Sequence, residues 1–180
     1  MTIPSDGTKL PTPADFDKVM KDKTVRRMLA RPWRLDRTHD IPFLAGYSRN
    51  ARTIYFDKSL PTTLLLGSKR YELAGALTTH ERVEKALIDA YGWGYVTPSP
   101  GAHGYATRAE HNRLITDGVD PKAYEEAMKP YITACKERCK GEDVDFPTDL
   151  DLTPYQTGEG EAYLNALEAV QNKRRKAAAA

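Results

Sequence analysis

Two stretches of this chain place histidine and glutamate where a helix should carry apolar side chains. In "ALTTHERVEKALIDAY" (76–91), Leu77, Val83, Ala86, Leu87, Ile88, Ala90 and Tyr91 cover one broad arc at helical spacing, with Arg82, Lys85 and Asp89 opposite. His80 and Glu84, one turn apart, fall in the middle of that apolar arc. "AHGYATRAEHNRLIT" (102–116) repeats the pattern. There His103, Ala106, Thr107, Glu110 and Leu114 share a face, Tyr105, Arg108 and Asn112 point away, and His111 sits at the margin where it can face water.

An ionised glutamate in a core costs several kcal/mol unless something offsets its desolvation. Arg or Lys, the histidines themselves, or a divalent cation could do so. The cation explains the most, because neutral imidazole and carboxylate are ligand types that zinc takes and i, i+4 spacing lets both reach one ion. His80, Glu84 and His103 are the expected ligands, leaving a position open for water. Glu110 lies two turns beyond His103, about 10 Å along the axis, and is expected to orient a ligand. Zinc comes first as the cation, with manganese or iron as alternatives. A metal-free reading stands beside this one, in which His–Glu hydrogen bonds staple the two helices. His39, in "RTHDIP", reads as a loop residue, and Asp57, in "YFDKS", as turn chemistry more than as a further ligand.

"HERVE" at 80–84 resembles the "HExxH" helix of the zincin metallopeptidases, with glutamate in place of the second histidine. The strand-like "PFLAGYS" and "TIYFDKSLP" ahead of it, and a ligand on a later helix, extend the resemblance over roughly residues 40 to 115. It implies that His80 is the first ligand, Glu81 the general base, Glu84 the stand-in for the second histidine and His103 the third ligand. Glu81 would then draw a proton from metal-bound water while hydrolysing a peptide or amide bond. The carboxylate of Glu84 departs from the family pattern and favours harder cations.

These side chains need particular elements to hold them. Thr12 as N-cap and Pro13 at the first helical position predict a helix from about residue 13 that Pro32 ends. "HDIPFLAGYS" and "RTIYFDKSL" read as strands around the turn "SRNA", and "TTLLLGSKRYEL" as a third extended segment. Gly92 stops the His80 helix, and "GWGYVTPSPGAHG" is a loop, either a flap over the site or plain linkage. "DG" closes the second helix; Asp120 and Pro121 start a third, which Pro130 should kink or split. The expectation is a single α+β domain over 1–158, with a small antiparallel hairpin or sheet (about 41–73) followed by a mainly helical region. A C-terminal amphipathic helix and basic tail would occupy 159–180.

Composition narrows the classes. The 180 residues carry 27 basic and 25 acidic side chains, so net charge gives no support to nucleic acid as the main partner. The basic runs at 24–37 and 172–176 leave a nucleic-acid role as a minor reading. No apolar stretch is long enough for a membrane span, and the polar, proline-rich N-terminus is unlike a signal peptide, so a cytoplasmic protein is expected. Cys135 and Cys139 sit four apart, an awkward spacing for a disulfide, and are expected to be buried thiols. The favoured function is a metal-dependent hydrolase acting on a peptide or protein substrate. The alternative is a non-enzymatic structural or partner-binding protein.

Overall fold

In the computed structural model, which describes residues 8–96, 98–138 and 144–152 and isolated positions 168, 169, 172, 173 and 176, helix α1 (Pro13–Met20) begins where Thr12 and Pro13 predict. Thr12 Oγ1 accepts the Asp15 N–H at 3.1 Å. The chain divides into two compact units, Met1–Pro32 with Pro61–Lys129 and Trp33–Leu60 with Pro130–Ala180. Helices and short sheets are both present, in the α+β class that the sequence predicts. No helix among the described residues is long and apolar enough to cross a membrane.

In the first unit, the single N-terminal helix expected from the sequence is two. The Asp22 side chain accepts the N–H groups of Thr24 (2.8 Å) and Val25 (3.1 Å), which caps a fresh helix, α2 (Lys23–Leu29). The third extended segment is a hairpin of β4 (Thr63–Leu66) and β5 (Lys69–Glu72), paired from Thr63↔Glu72 to Leu66↔Lys69. Gly67 opens its two-residue turn at φ 62°, the left-handed backbone such a turn requires. Strand β5 runs straight into α3 (Leu73–Tyr91), and Gly92 ends that helix at φ 65°. Helix α4 (Gly101–Thr116) follows; α5 (Pro121–Arg138) starts in this unit, and its residues from Pro130 on, where it does not split, belong to the second.

The core of this unit joins Val25, Val83, Leu87, Ala102, Tyr105, Ala106 and Ala109, with Phe16, Val19, Met20 and Trp93 packed on it. Two expectations from the helical wheels change here. Tyr105 is buried, its ring stacked on Phe16 of α1 at 6.3 Å and close to Trp93 at 5.3 Å. Lys85 is buried too, bonded to Asp89 at 2.9 Å, while Arg31 reaches Asp89 at 2.5 Å and Arg82 donates to the Leu29 carbonyl. Helices α1 and α2 cover faces that a single amphipathic helix would leave to water.

In the second unit, β2 (Ala45–Tyr47) and β3 (Thr53–Phe56) form the expected antiparallel pair around the "SRNA" turn. Ser48 Oγ holds that turn by accepting the N–H groups of Arg52 (3.1 Å) and Thr53 (2.9 Å). The sequence did not signal β1 (Arg34–Asp36), which adds to β3 in parallel from Arg34↔Thr53. Ile41, Tyr55, Val144, Phe146, Leu150 and Leu152 form the core. Asp57 is turn chemistry: it accepts from Ile41 N–H (2.9 Å), Ser59 N–H (2.8 Å) and the Arg138 guanidinium. Cys135 is a buried free thiol, as expected. Cys139 and nearly all of the expected C-terminal helix at 159–180 lie outside the described residues.

Candidate metal centre

His80 stands on the second turn of α3, Glu84 one turn later, and His103 on the first turn of α4. The two helices pack together, and the pairing of His80 with Glu110 and of Glu84 with His103 runs one against the other. The i, i+4 spacing on α3 and the seven-residue spacing on α4 are what bring the four side chains to one seam. Among the described residues, His80, Glu84 and His103 form the group whose ligand atoms all lie within 4.8 Å of one another.

The separations bear on whether a cation fits. His80 Nε2 is 3.2 Å from His103 Nδ1 and 3.6 Å from Glu84 Oε2, and His103 Nδ1 is 3.0 Å from Glu84 Oε2. A tetrahedral ion with ligands at about 2.0–2.1 Å has ligand–ligand edges of roughly 3.3–3.4 Å. The three observed edges bracket that value, so the triangle matches one face of such a tetrahedron. The His80 and His103 side chains keep 12% and 14% of their surface exposed.

Glu110 pairs with His80 across the helix seam. Its Oε2 is 2.9 Å from His80 Nδ1. An ionised carboxylate only accepts, so one proton belongs on Nδ1, and Nε2 is the nitrogen that faces His103 and Glu84. Loss of the Nε2 proton would leave the tautomer a metal-ligating histidine needs.

Burial and charge set the protonation states. Burial opposes an imidazolium at His80, but its hydrogen bonds to Glu110 and Glu84 outweigh it and hold its pKa well above the usual histidine range. Burial would raise Glu84, yet His103 and His80 pull it down to about 2. Glu81 is different. Burial, reinforced by Glu84 and Glu110 and offset only in part by His80, pushes its carboxyl up to about 8. The residue is buried, and among the described residues no hydrogen-bond donor reaches it. Three carboxyl groups around two imidazoles leave room for net positive charge, and a cation would compete with the second proton of His80 for the same lone pair.

Side chains that the sequence reading left out also shape the centre. Tyr95, from the loop between α3 and α4, stacks on the His103 ring at 4.2 Å and 25°. Its carbonyl accepts the His103 N–H at 3.1 Å, and the Gly94 carbonyl accepts the Ala102 N–H at 3.1 Å. The loop is thereby tied to the start of α4 and braces the His103 ring. His111 is buried, not facing water, because Glu125 of α5 pairs with it at 2.8 Å. His39 is half-buried beside Asp145 and takes no part in the cluster. The strands leading into α3 are β4 and β5; "PFLAGYS" and "TIYFDKSLP" supply β2 and β3 of the other unit.

No family model, curated protein or solved structure matches this chain.

Proposed function

We propose that the chain binds a divalent cation through His80, Glu84 and His103 and uses it to hydrolyse peptide or amide bonds. The observation carrying this reading is the triangle of ligand atoms, 3.0 to 3.6 Å on a side, with Glu81 uncommitted beside it. A cation held there would supply a Lewis acid that brings the pKa of coordinated water toward neutrality. Its positive charge would also return the raised Glu81 carboxyl to its ionised form, in which it could take the water's proton and pass it to the leaving amine, the role that the likeness of "HERVE" to "HExxH" implies. Glu110 holds His80 in the ligating tautomer, and Tyr95 keeps the His103 ring in place. Zinc suits the geometry best; the carboxylate of Glu84 also admits manganese or iron. We take the setting to be cytoplasmic, where a chain with two cysteines keeps its thiols reduced.

One observation favours a second reading, a non-enzymatic staple. Without any ion, the same four side chains already cross-link α3 and α4 through His80–Glu110 and His103–Glu84 contacts. Two substitutions separate the readings. Under the hydrolase reading, Glu81→Gln keeps the ion and the melting temperature but lowers hydrolysis of a mixed peptide pool by about 10²–10⁴-fold. His80→Ala loses the ion. Under the staple reading no hydrolysis is found, Glu81→Gln changes nothing, and His80→Ala lowers the melting temperature.

A further inference from the structure

The basic run at 24–37, which the metal site leaves unused, is divided by the fold. Arg31 pairs with Asp89 at 2.5 Å, and Arg34 lies 3.8 Å from Asp36. Arg37 donates to the Leu60 carbonyl and sits over the Phe56 ring. Arg26 and Arg27 are left over. Both are exposed, and among the described residues neither side chain makes a hydrogen bond or an ion pair. Three exposed lysines just ahead of them, Lys18, Lys21 and Lys23, are equally uncommitted.

Local structure gathers these cations. Lys23, Arg26 and Arg27 stand at i, i+3 and i+4 on α2 and share its outer face, while Val25 is buried and Leu29 packs on the core. Lys21 is the C-cap residue of α1, within about 7 Å of Lys23 along the backbone. Lys18 stands on the last turn of α1. Asp17 and Asp22 are the acidic residues of this stretch, and Asp22 is committed to the Thr24 and Val25 N–H groups. Residues 17–27 thus hold five basic and two acidic side chains, a net +3 against +2 for the whole chain. The rest of the chain carries a net −1, so the near-neutral total conceals a local cationic face.

Three observations select the partner. Among the described residues no large apolar side chain is exposed between 17 and 30, whereas a helix that lies in a membrane surface buries an apolar face beside its cations. No aromatic residue occurs between 17 and 32 on which an unpaired base could stack. Helix α2, seven residues or about 10 Å long, spans a length over which duplex DNA presents about six phosphates. That density matches a tight group of cations, and a stiff duplex does not incur the ordering cost of a flexible acidic peptide. We propose that the outer face of α2, with Lys18 and Lys21, docks on the phosphate backbone of duplex nucleic acid without reading its bases. The proposal is independent of the metal reading.

The test is fluorescence anisotropy of a labelled 20-base-pair DNA duplex titrated with the 180-residue chain at 50 to 200 mM NaCl. Three to five phosphate contacts give a slope of log affinity on log salt between about −2.7 and −4.5, the same for scrambled duplexes. Lys23→Gln, Arg26→Gln and Arg27→Gln together should weaken binding by about tenfold or more at 50 mM and make the slope shallower by about 2.7. A control chain with Lys69→Gln, Lys122→Gln and Lys129→Gln loses the same charge from exposed positions elsewhere and should keep the slope. Single Arg26→Gln and Arg27→Gln chains should each remove about one unit of slope, and Arg26→Lys and Arg27→Lys should restore it. The inference is overturned if wild-type protein does not bind the duplex at 50 mM salt, or if the control triple loses as much as the α2 triple. Tighter binding to polyglutamate, or to vesicles containing phosphatidylserine, than to the duplex also overturns it, in favour of an acidic protein or a membrane surface.

Discussion

Asp40 and Glu81 are both buried carboxyls, and their neighbours drive them to opposite protonation states. Burial would raise Asp40, but donors from Lys58, the Asp145 N–H and Arg138 outweigh it and hold its pKa below the usual aspartate value of 3.8. Glu81 has no such donors and is pushed up to about 8. The Asp40 interactions are fully present above the unfolded aspartate range and are lost as pH falls through the lowered folded value. Urea unfolding followed from pH 7 downward should therefore show stability falling below about pH 4. Asp40→Asn should flatten that acid limb and cost about 1–3 kcal/mol at neutral pH, as the bonds from Lys58 and Arg138 lose their charged, buried acceptor. An unchanged acid limb in Asp40→Asn contradicts this assignment. The sequence made the cluster of His80, Glu84 and His103 legible at this scale because two polar residues one turn apart inside an apolar arc need a partner. It did not reveal the burial of Lys85, Tyr105 or His111, since a helical wheel sees one helix and not the neighbours that cover its other faces.

At the scale of elements, the caps and glycines were readable and the tertiary additions were not. Thr12–Pro13, Gly92 and Asp120–Pro121 mark boundaries through local hydrogen-bond chemistry alone, and the helices begin or end there. Strand β1 has no comparable local signal, since its three residues are extended only by pairing with β3. The break between α1 and α2 was hidden inside an acceptable helical pattern until Asp22 was seen to cap Thr24 and Val25. Gly101 links an element boundary to the site. It starts α4 at φ 70°, and a Cβ there would run into the backbone of Tyr95 and Val96. Gly101→Ala should push Tyr95 off the His103 ring, lower the melting temperature and weaken the metal, with the left-handed backbone alone costing about 1–2 kcal/mol. Wild-type zinc affinity in Gly101→Ala would show that Tyr95 does not brace the ligand.

Across the whole molecule, the chain divides into two units with separate cores, and the candidate centre belongs wholly to the one containing α3 and α4. The α+β class was legible from the order of patterned segments, whereas the interleaving of the units (residues 33–60 with 130–180) was not, because it rests on long-range packing. An ion that binds only the folded state stabilises it by mass action, about 2.7 kcal/mol at a hundredfold excess over Kd. The most direct measurement is the metal content of the purified 180-residue chain, with melting curves in added zinc, manganese and iron. One equivalent of divalent cation per chain and a rise in melting temperature are expected, both abolished in His80→Ala. Protein without stoichiometric metal, and with no thermal gain from any of the three ions, would contradict the metal centre.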